Sequence, residues 1–375
     1  MTLGVEEEYM LLDAHTFDLV QRVESILRAE GDGDFAALVS PELFESLVEF
    51  HTPVCRTVAD VERELRALRA HAVGAAGAQG LRLGSAGTHP FSLLEAQRVT
   101  GRDRYRALVD ELQYVAKREL IFGLHVHVAV DDPGRAVRLI GALEPHICEL
   151  VALSANSPFW RGKPTGFASS RHLVFSAFPR SGLAPRFRSY AEFAGLVGQL
   201  VASGCVDDYT RIWWDIRPHP RLGTVEVRVM DAVSRVDDAV ALAAYVQALV
   251  RRYAAADEGA ETLAACHPVL TQESKWRAAR YGLRATVIDP VRGGPVPIAG
   301  MIERTLDELA PYARELGCEQ ELDGVRRILR DGNGADRQLQ VYAAGGDAAA
   351  VVRDIATVTR ASEPPRVPRD GLIPA

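Results

Sequence analysis

The 375-residue chain has little cysteine, and what it has is scattered. Cys55, Cys148, Cys205, Cys266 and Cys318 form no CxxC pair or other metal-ligand spacing, and their odd number does not suit a disulfide framework. They read as packing residues of a protein kept in a reducing compartment, so the expected location is cytoplasmic. A basic excess is also lacking. The formal net charge is −7 and the pI about 5.9, which argues against nucleic acid or an anionic membrane as the main partner, since both require a cationic face. No apolar leader region precedes the first strand-like run, and no stretch approaches the roughly 18 to 20 apolar residues that span a bilayer. A GxxxxGK(S/T) loop is missing too, which removes a P-loop phosphate cradle. Without internal repeats or a clear linker, the expectation is one catalytic domain over residues 1–360. A flexible tail over 361–375 follows from "ASEPPRVPRDGLIPA", with its four prolines and little apolar periodicity.

What is present is a set of strand-like runs among long helical ones. "GVEEEYMLLD" puts Val5, Glu7, Tyr9 and Leu11 on one side of a strand and Gly4, Glu6, Glu8 and Met10 on the other. "PELFESLVEFHTPVC" contains alternating Val48 and Phe50, with Glu49 opposite them and Glu42 upstream. Thr57 reads as the N-cap of a helix through "TVADVERELRALRAHAV". "LRLGSAGTHP" reads as a short strand running into a loop, "RHLVFSAF" and "IWWDIRPHPRLGTVEVRVMD" as strands, "GRDRYRALVDELQYVAKREL" as a helix, and further helices are expected near 134–153, 190–203, 236–256 and 300–316. Strands and helices do not alternate regularly, which favours an α+β fold: a mainly antiparallel sheet with helices on its outer face.

Four strands have an apolar back and an ionisable front. "HVHVAV" projects His125 and His127 away from Val126 and Val128, and "TVEVRVMD" sets Thr224, Glu226, Arg228 and Met230 opposite Val225, Val227 and Val229. Any one of these strands alone fits a solvated face or a simple Glu–Arg pair. Together they bring carboxylates and a few imidazoles to one surface, a donor set suited to magnesium or manganese rather than to a histidine-rich zinc site. Several such ions commonly accompany a nucleoside triphosphate, and Arg228 beside Glu226 is placed to meet phosphate.

"GVEEEYMLL", "PELFESLVEFHTPVC", "GLHVHV", "LSANSPFWRG" and "TVEVRVMD" occur in the order and approximate spacing of a known family. From about residue 2 to 360 the chain resembles the carboxylate–amine ligases of the glutamate–cysteine ligase type 2 group, which share the glutamine synthetase-like fold. The resemblance implies a curved sheet whose concave face holds ATP and Mg2+, with Mn2+ as a substitute. It implies that Glu6, His125 and Glu226 hold one ion near the ATP phosphates, and that Glu8, Glu49 and Glu42 hold ions nearer the transferred phosphoryl group. Arg228 and Glu49 would carry the catalysis, and His127, Arg217 and Arg228 would contact the nucleotide. The implied reaction is phosphorylation of an amino acid carboxylate by ATP, then attack of an amine on the acyl phosphate. The implied partners are small molecules and a second copy of the chain in a homo-oligomer.

For the substrate carboxylate, Arg161, Arg171, Arg217, Arg277 and Arg280 are candidates, Arg171 and Arg217 foremost. Asn156 is expected in a turn that lines the pocket, and Trp213 and Trp214 in packing. Departures from the family pattern at His51 and Arg284 bear on substrate choice. Two other readings stand beside the ligase: a zinc metallohydrolase built on His125 and His127, and a non-catalytic nucleotide-binding relative.

Overall fold

The computed structural model describes residues 1–31, 33, 35–256 and 267–361. Cys266 and the expected tail from 362 onward lie outside the described residues. Strand β1 (Leu3–Asp13) is the spine of a seven-stranded sheet with β2 (Val39–Pro41), β3 (Leu47–His51), β4 (Leu81–Gly84), β5 (Gly123–Ala129), β6 (Ile216–His219) and β7 (Thr224–Asp231). The order is β6-β7-β5-β1-β3-β2, with β4 pairing the far end of β1, and every pairing is antiparallel. The expected α+β layout is the one observed.

Helices α1 (Val23–Glu30), α2 (Val58–Ala78) and α3 (Asp103–Leu112) fall among the first strands. Next come α4 (Pro133–Leu143), α5 (Ile147–Ser154), α6 (Ser170–Phe175) and α7 (Tyr190–Ala202) before β6, and α8 (Val236–Ala255) after β7. The described chain closes with α9 (Pro268–Tyr281), α10 (Ile298–Leu316), α11 (Glu319–Asp331), α12 (Gly334–Ala343) and α13 (Ala348–Arg360). Val5, Val126, Val128, Val225 and Val227 share one core with α4, α5 and α8, which is why the alternation of these strands fixes their orientation. Thr57 caps α2 as expected. Its Oγ1 accepts from the Asp60 N–H and Asp60 Oδ2 accepts from the Thr57 N–H, both at 3.1 Å. None of the described helices is long and apolar enough to cross a membrane.

Glu7 points into the layer behind the sheet, where an unpaired carboxylate would be costly. Arg69 of α2, fully buried, meets it with two nitrogens, one of them Nε at 2.9 Å from Glu7 Oε2. The remaining Arg69 donors go to the carbonyls of Ser234 at 2.7 Å and Val233 at 3.0 Å, and Tyr9 Oη also donates to Glu7. The middle glutamate of the triplet thus pins β1 to α2 and to the entrance of α8.

Three sequence expectations are corrected. "RHLVFSAF" is not a strand: Ser169 caps α6, which uses its first residues. The helix expected through residue 120 ends at Leu112, because Gln113 adopts φ +46° and turns the chain away. Met230 joins the apolar core instead of the polar front. A β-bulge causes this: Val227 pairs with Val126 and Met230 with Leu124, so Arg228 and Val229 together stand opposite His125 and the alternation shifts by one.

Candidate active site

Strand register assembles the ionisable front. Glu6 lies opposite His125, Glu8 opposite Glu49, Glu226 opposite His127, and Arg217 opposite Glu226. Because neighbouring strands are only about 4.8 Å apart, such front-face partners touch. His125 Nδ1 lies 3.0 Å from Glu6 Oε2, and His127 Nε2 lies 3.2 Å from Glu6 Oε1 without an aligned hydrogen bond. Thr224 Oγ1, 3.0 Å from His127 Nδ1, fixes that ring. Two sets of three ligand atoms result, Glu6–His125–Glu226 and Glu8–Glu49–His125, each set lying within 4.8 Å. Glu6, Glu8, Glu49 and His125 form the floor of a cavity of about 600 Å³, with Glu226 buried behind them.

The charges explain why such a floor wants cations. Burial pushes Glu8 up to about 7, with Glu42 adding to the effect, and it pushes Glu49 well above the carboxylate range, with Glu6, Glu42 and Glu8 adding. Burial raises Glu42 as well. Burial opposes ionisation of Glu226, yet Arg228 and Arg217 outweigh it and hold this carboxyl low. Arg217 Nε donates to Glu226 Oε2 at 2.7 Å, and Arg228 donates to Glu226 Oε1. For Glu6, too, burial is outweighed, here by His125 and His127. His125 is pushed down to about 4 by burial and by Arg228, so its imidazole is neutral and able to act as a ligand. A ring of carboxylates that repel one another, with a neutral imidazole at the junction of both sets, fits divalent ions bound through oxygen and nitrogen.

The glutamate–cysteine ligase family 2 model matches residues 2–354. Among curated proteins, the provisionally named glutamate–cysteine ligase 2-1 of Rubrobacter xylanophilus is 46% identical over 359 residues, covering 96% of this chain and 95% of its own. A similarly named protein of Solibacter usitatus is 40% identical over 352 residues, covering 94% and 91%. This chain belongs to glutamate–cysteine ligase family 2. Family and fold together make it an amide-forming ligase. A glutamate–cysteine ligase of Francisella tularensis, solved in complex with AMP, shares the fold of this family-2 ligase. The TM-score is 0.69 at 12% identity, over 96% of this chain and 89% of the other. A bifunctional glutathione synthetase of Pasteurella multocida shares it as well, with a TM-score of 0.66 at 15% identity over 96% of this chain and 52% of the other.

In the family-2 ligase, Glu6, Glu8, Glu42, Glu49, His125, Arg217 and Arg228 all line the acidic cavity, and Glu226 and His127 are buried behind that lining, Glu226 against Arg217 and Arg228 and His127 against Glu6. Other expected residues are elsewhere. Arg161 sits in an exposed turn, paired with Glu95 at 3.1 Å. Arg277 pairs with Glu273, and Arg280 bonds the Gly166 carbonyl. Asn156 is fully buried. Its amide nitrogen donates to the Ala232 carbonyl at 2.8 Å, and its Oδ1 accepts from Gln338 at 2.8 Å, so it braces the end of β7. Arg171, also buried, reaches the site from beneath. It donates to the carbonyls of Arg228 at 3.2 Å and Val229 at 3.3 Å, clamping the bulge that aims Arg228. Gly123 is required beside it, because a Cβ there would lie 2.5 Å from Arg171 Nη2. Of the tryptophan pair, Trp214 is buried against Phe187 and Phe193 while Trp213 faces the cavity.

Sequence reasoning missed several wall residues, among them Arg104, Glu119, Arg211 and His219, which lie on loops, helix ends or a strand edge. A second cavity of about 570 Å³ lies between α8 and α10. Its buried polar groups are paired among themselves, His146 with Glu149 at 2.6 Å and with Tyr253 at 2.8 Å, so the acidic cavity is the one equipped for chemistry.

The raised acids give a pH prediction. A carboxyl whose pKa is higher in the folded than in the unfolded chain supports stability at low pH and loses that support as pH rises through the folded value. For Glu8 the window runs from its ordinary 4.5 up to about 7, and Glu49 extends it upward. The metal-free protein should therefore lose thermal stability across this range, and Mg2+ should restore it with release of protons. Scanning calorimetry with EDTA or Mg2+ at several pH values checks this. At alkaline pH, Glu49→Gln should melt higher than the metal-free parent and respond less to Mg2+.

Proposed function

We propose that this ligase joins an amino acid carboxylate to an amine at the expense of ATP, through an acyl phosphate. The observation that carries this reading is the pair of carboxylate-rich triads sharing His125 on one floor, with Arg217 and Arg228 beside them. Glu6, His125 and Glu226 would hold one divalent ion, and Glu8, Glu49 and Glu42 the ions on the other side. Mg2+ held by these residues would supply neutralisation of charge on the phosphate oxygens. The chain's own groups do the rest. Arg228 Nε is buried and has no hydrogen-bond partner, a donor available to the transferring phosphoryl group. Arg217 is tied by Glu226 and by the Ile212 carbonyl at 2.7 Å, so it offers a fixed positive charge behind the first triad.

One histidine and two carboxylates per triad favour a hard cation over zinc, which weighs against a hydrolase based on the H-x-H strand. The test is a screen of ADP release with Mg2+ against a panel of amino acids and amines, with mass analysis for amide products. Amide and ADP formed together with at least one pair are expected. Folded protein that releases ADP with no pair would remove the ligase reading.

A further inference from the structure

Among the described residues of the cavity wall, Glu119 is a carboxylate that none of the roles above uses. Glu6 meets two histidines, Glu8 accepts from the Gly123 N–H at 2.6 Å, Glu42 from the Leu43 N–H at 3.2 Å, and Glu49 belongs to a triad. Asp207 and Asp208 pair with Arg211 and Arg221. Glu119 has no hydrogen bond or ion pair of its side chain and a place in neither triad. It is nonetheless firmly presented. The 3-10 turn Ala116–Arg118 ends on it, its N–H donates to the Ala116 carbonyl at 3.1 Å, and two residues later Ile121 bridges to Thr88. Of the run Lys117-Arg118-Glu119, the two cations are exposed and the acid turns inward.

Glu119 lines the same cavity as Glu8 and Glu49 of the second triad and as Arg228, the arginine that would face the transferring phosphoryl group. Burial, with Glu42 and Glu8 adding, pushes its carboxyl well above the usual range while Arg228 and Arg171 act in the opposite sense, so a cation arriving beside it is what favours its ionised form. On the ligase reading, on which this inference rests, that is where the acyl phosphate forms.

An amine acceptor reaches the site as an ammonium ion, and a cation entering a cavity already stocked with divalent ions needs an anion that those ions do not consume. We propose that Glu119 binds the ammonium group of the acceptor and holds its nitrogen against the acyl carbon. In the step that follows, the new C–N bond forms and the C–O bond to phosphate breaks. Before attack the ammonium passes one proton to water, which frees the lone pair that forms this bond, and the second proton leaves on inorganic phosphate.

Hydroxylamine separates this role from others, because it is uncharged at mildly alkaline pH and needs no ammonium anchor. Full-length parent and Glu119→Gln proteins are assayed with ATP, Mg2+ and L-glutamate, once with L-cysteine and once with hydroxylamine. Loss of a charge-assisted hydrogen bond should lower kcat/KM for cysteine by about 10- to 100-fold in the variant. Hydroxamate and ADP formation with hydroxylamine should be unchanged, which also shows the variant to be folded. Equal loss with both nucleophiles would overturn the proposal by making Glu119 a metal ligand or a structural residue, and no loss with cysteine would overturn it directly. Where the screen for ADP release identifies another acid and amine, that pair takes the place of glutamate and cysteine, and a folded parent protein inactive with every pair and with hydroxylamine would remove the ligase reading and this inference with it.

Discussion

Arg228→Lys should reduce kcat by about 100- to 1,000-fold, the effect of removing one preorganised donor at developing charge, about 2.7–4 kcal/mol of barrier. Lysine keeps the positive charge, so the loss measures geometry. The guanidinium donates to Glu226 with one nitrogen while its buried Nε remains unpartnered, and an ammonium cannot serve both directions. Burial opposes the Arg228 charge, yet Glu226 outweighs it and holds the group protonated at every working pH. Nucleotide and metal affinity should change far less than kcat, because both triads persist. Single-turnover measurement of ADP formation alongside equilibrium nucleotide binding separates these. A rise in nucleotide Kd that accounts for the whole loss would instead make Arg228 a ground-state anchor.

Arg69→Met should destabilise the fold by about 3–5 kcal/mol, the usual cost of breaking a buried pair from one side. The variant leaves the Glu7 carboxylate without its cationic partner behind the sheet and deprives the Val233 and Ser234 carbonyls of their donor. Glu7→Gln combined with Arg69→Met should recover much of the loss, since the uncompensated charge is gone. Urea unfolding of the two single variants and the double variant provides the cycle. Because Glu7 lies between Glu6 and Glu8 on β1, Arg69→Met should also weaken divalent-ion binding, a consequence that a purely local loss of packing would not have.

Much of this architecture was legible because a strand has a period of two. Where Val5, Val126, Val128, Val225 and Val227 must face the core, Glu6, His125, His127 and Glu226 have only the other side to occupy, and the observed registers bring them together. What the period could not reveal is where it breaks. The bulge at Arg228 and Val229 has no glycine or proline to mark it, and it depends on a clamp from Arg171, more than fifty residues away in sequence. Arg69 was equally hidden. It is one of several arginines in a charged helix, and nothing local distinguishes the one that meets Glu7 across 62 residues. Helices α11 to α13 are not among the expected ones, although α11 carries a readable signal in Leu322, Val325 and Ile328 at three-residue spacing within a strongly charged stretch. Glu119 lies where no periodic pattern applies, and Arg104 is one of several charged residues in the first turn of α3, so only the folded chain shows that they face the cavity.

Anomalous diffraction from crystals grown with Mn2+ and a non-hydrolysable ATP analogue tests the shared acidic floor most directly. The expected result is manganese at Glu6–His125–Glu226 and at Glu8–Glu49–His125, with the triphosphate in contact with both. A single ion held by His125 and His127, or a nucleotide bound away from these residues, would contradict it.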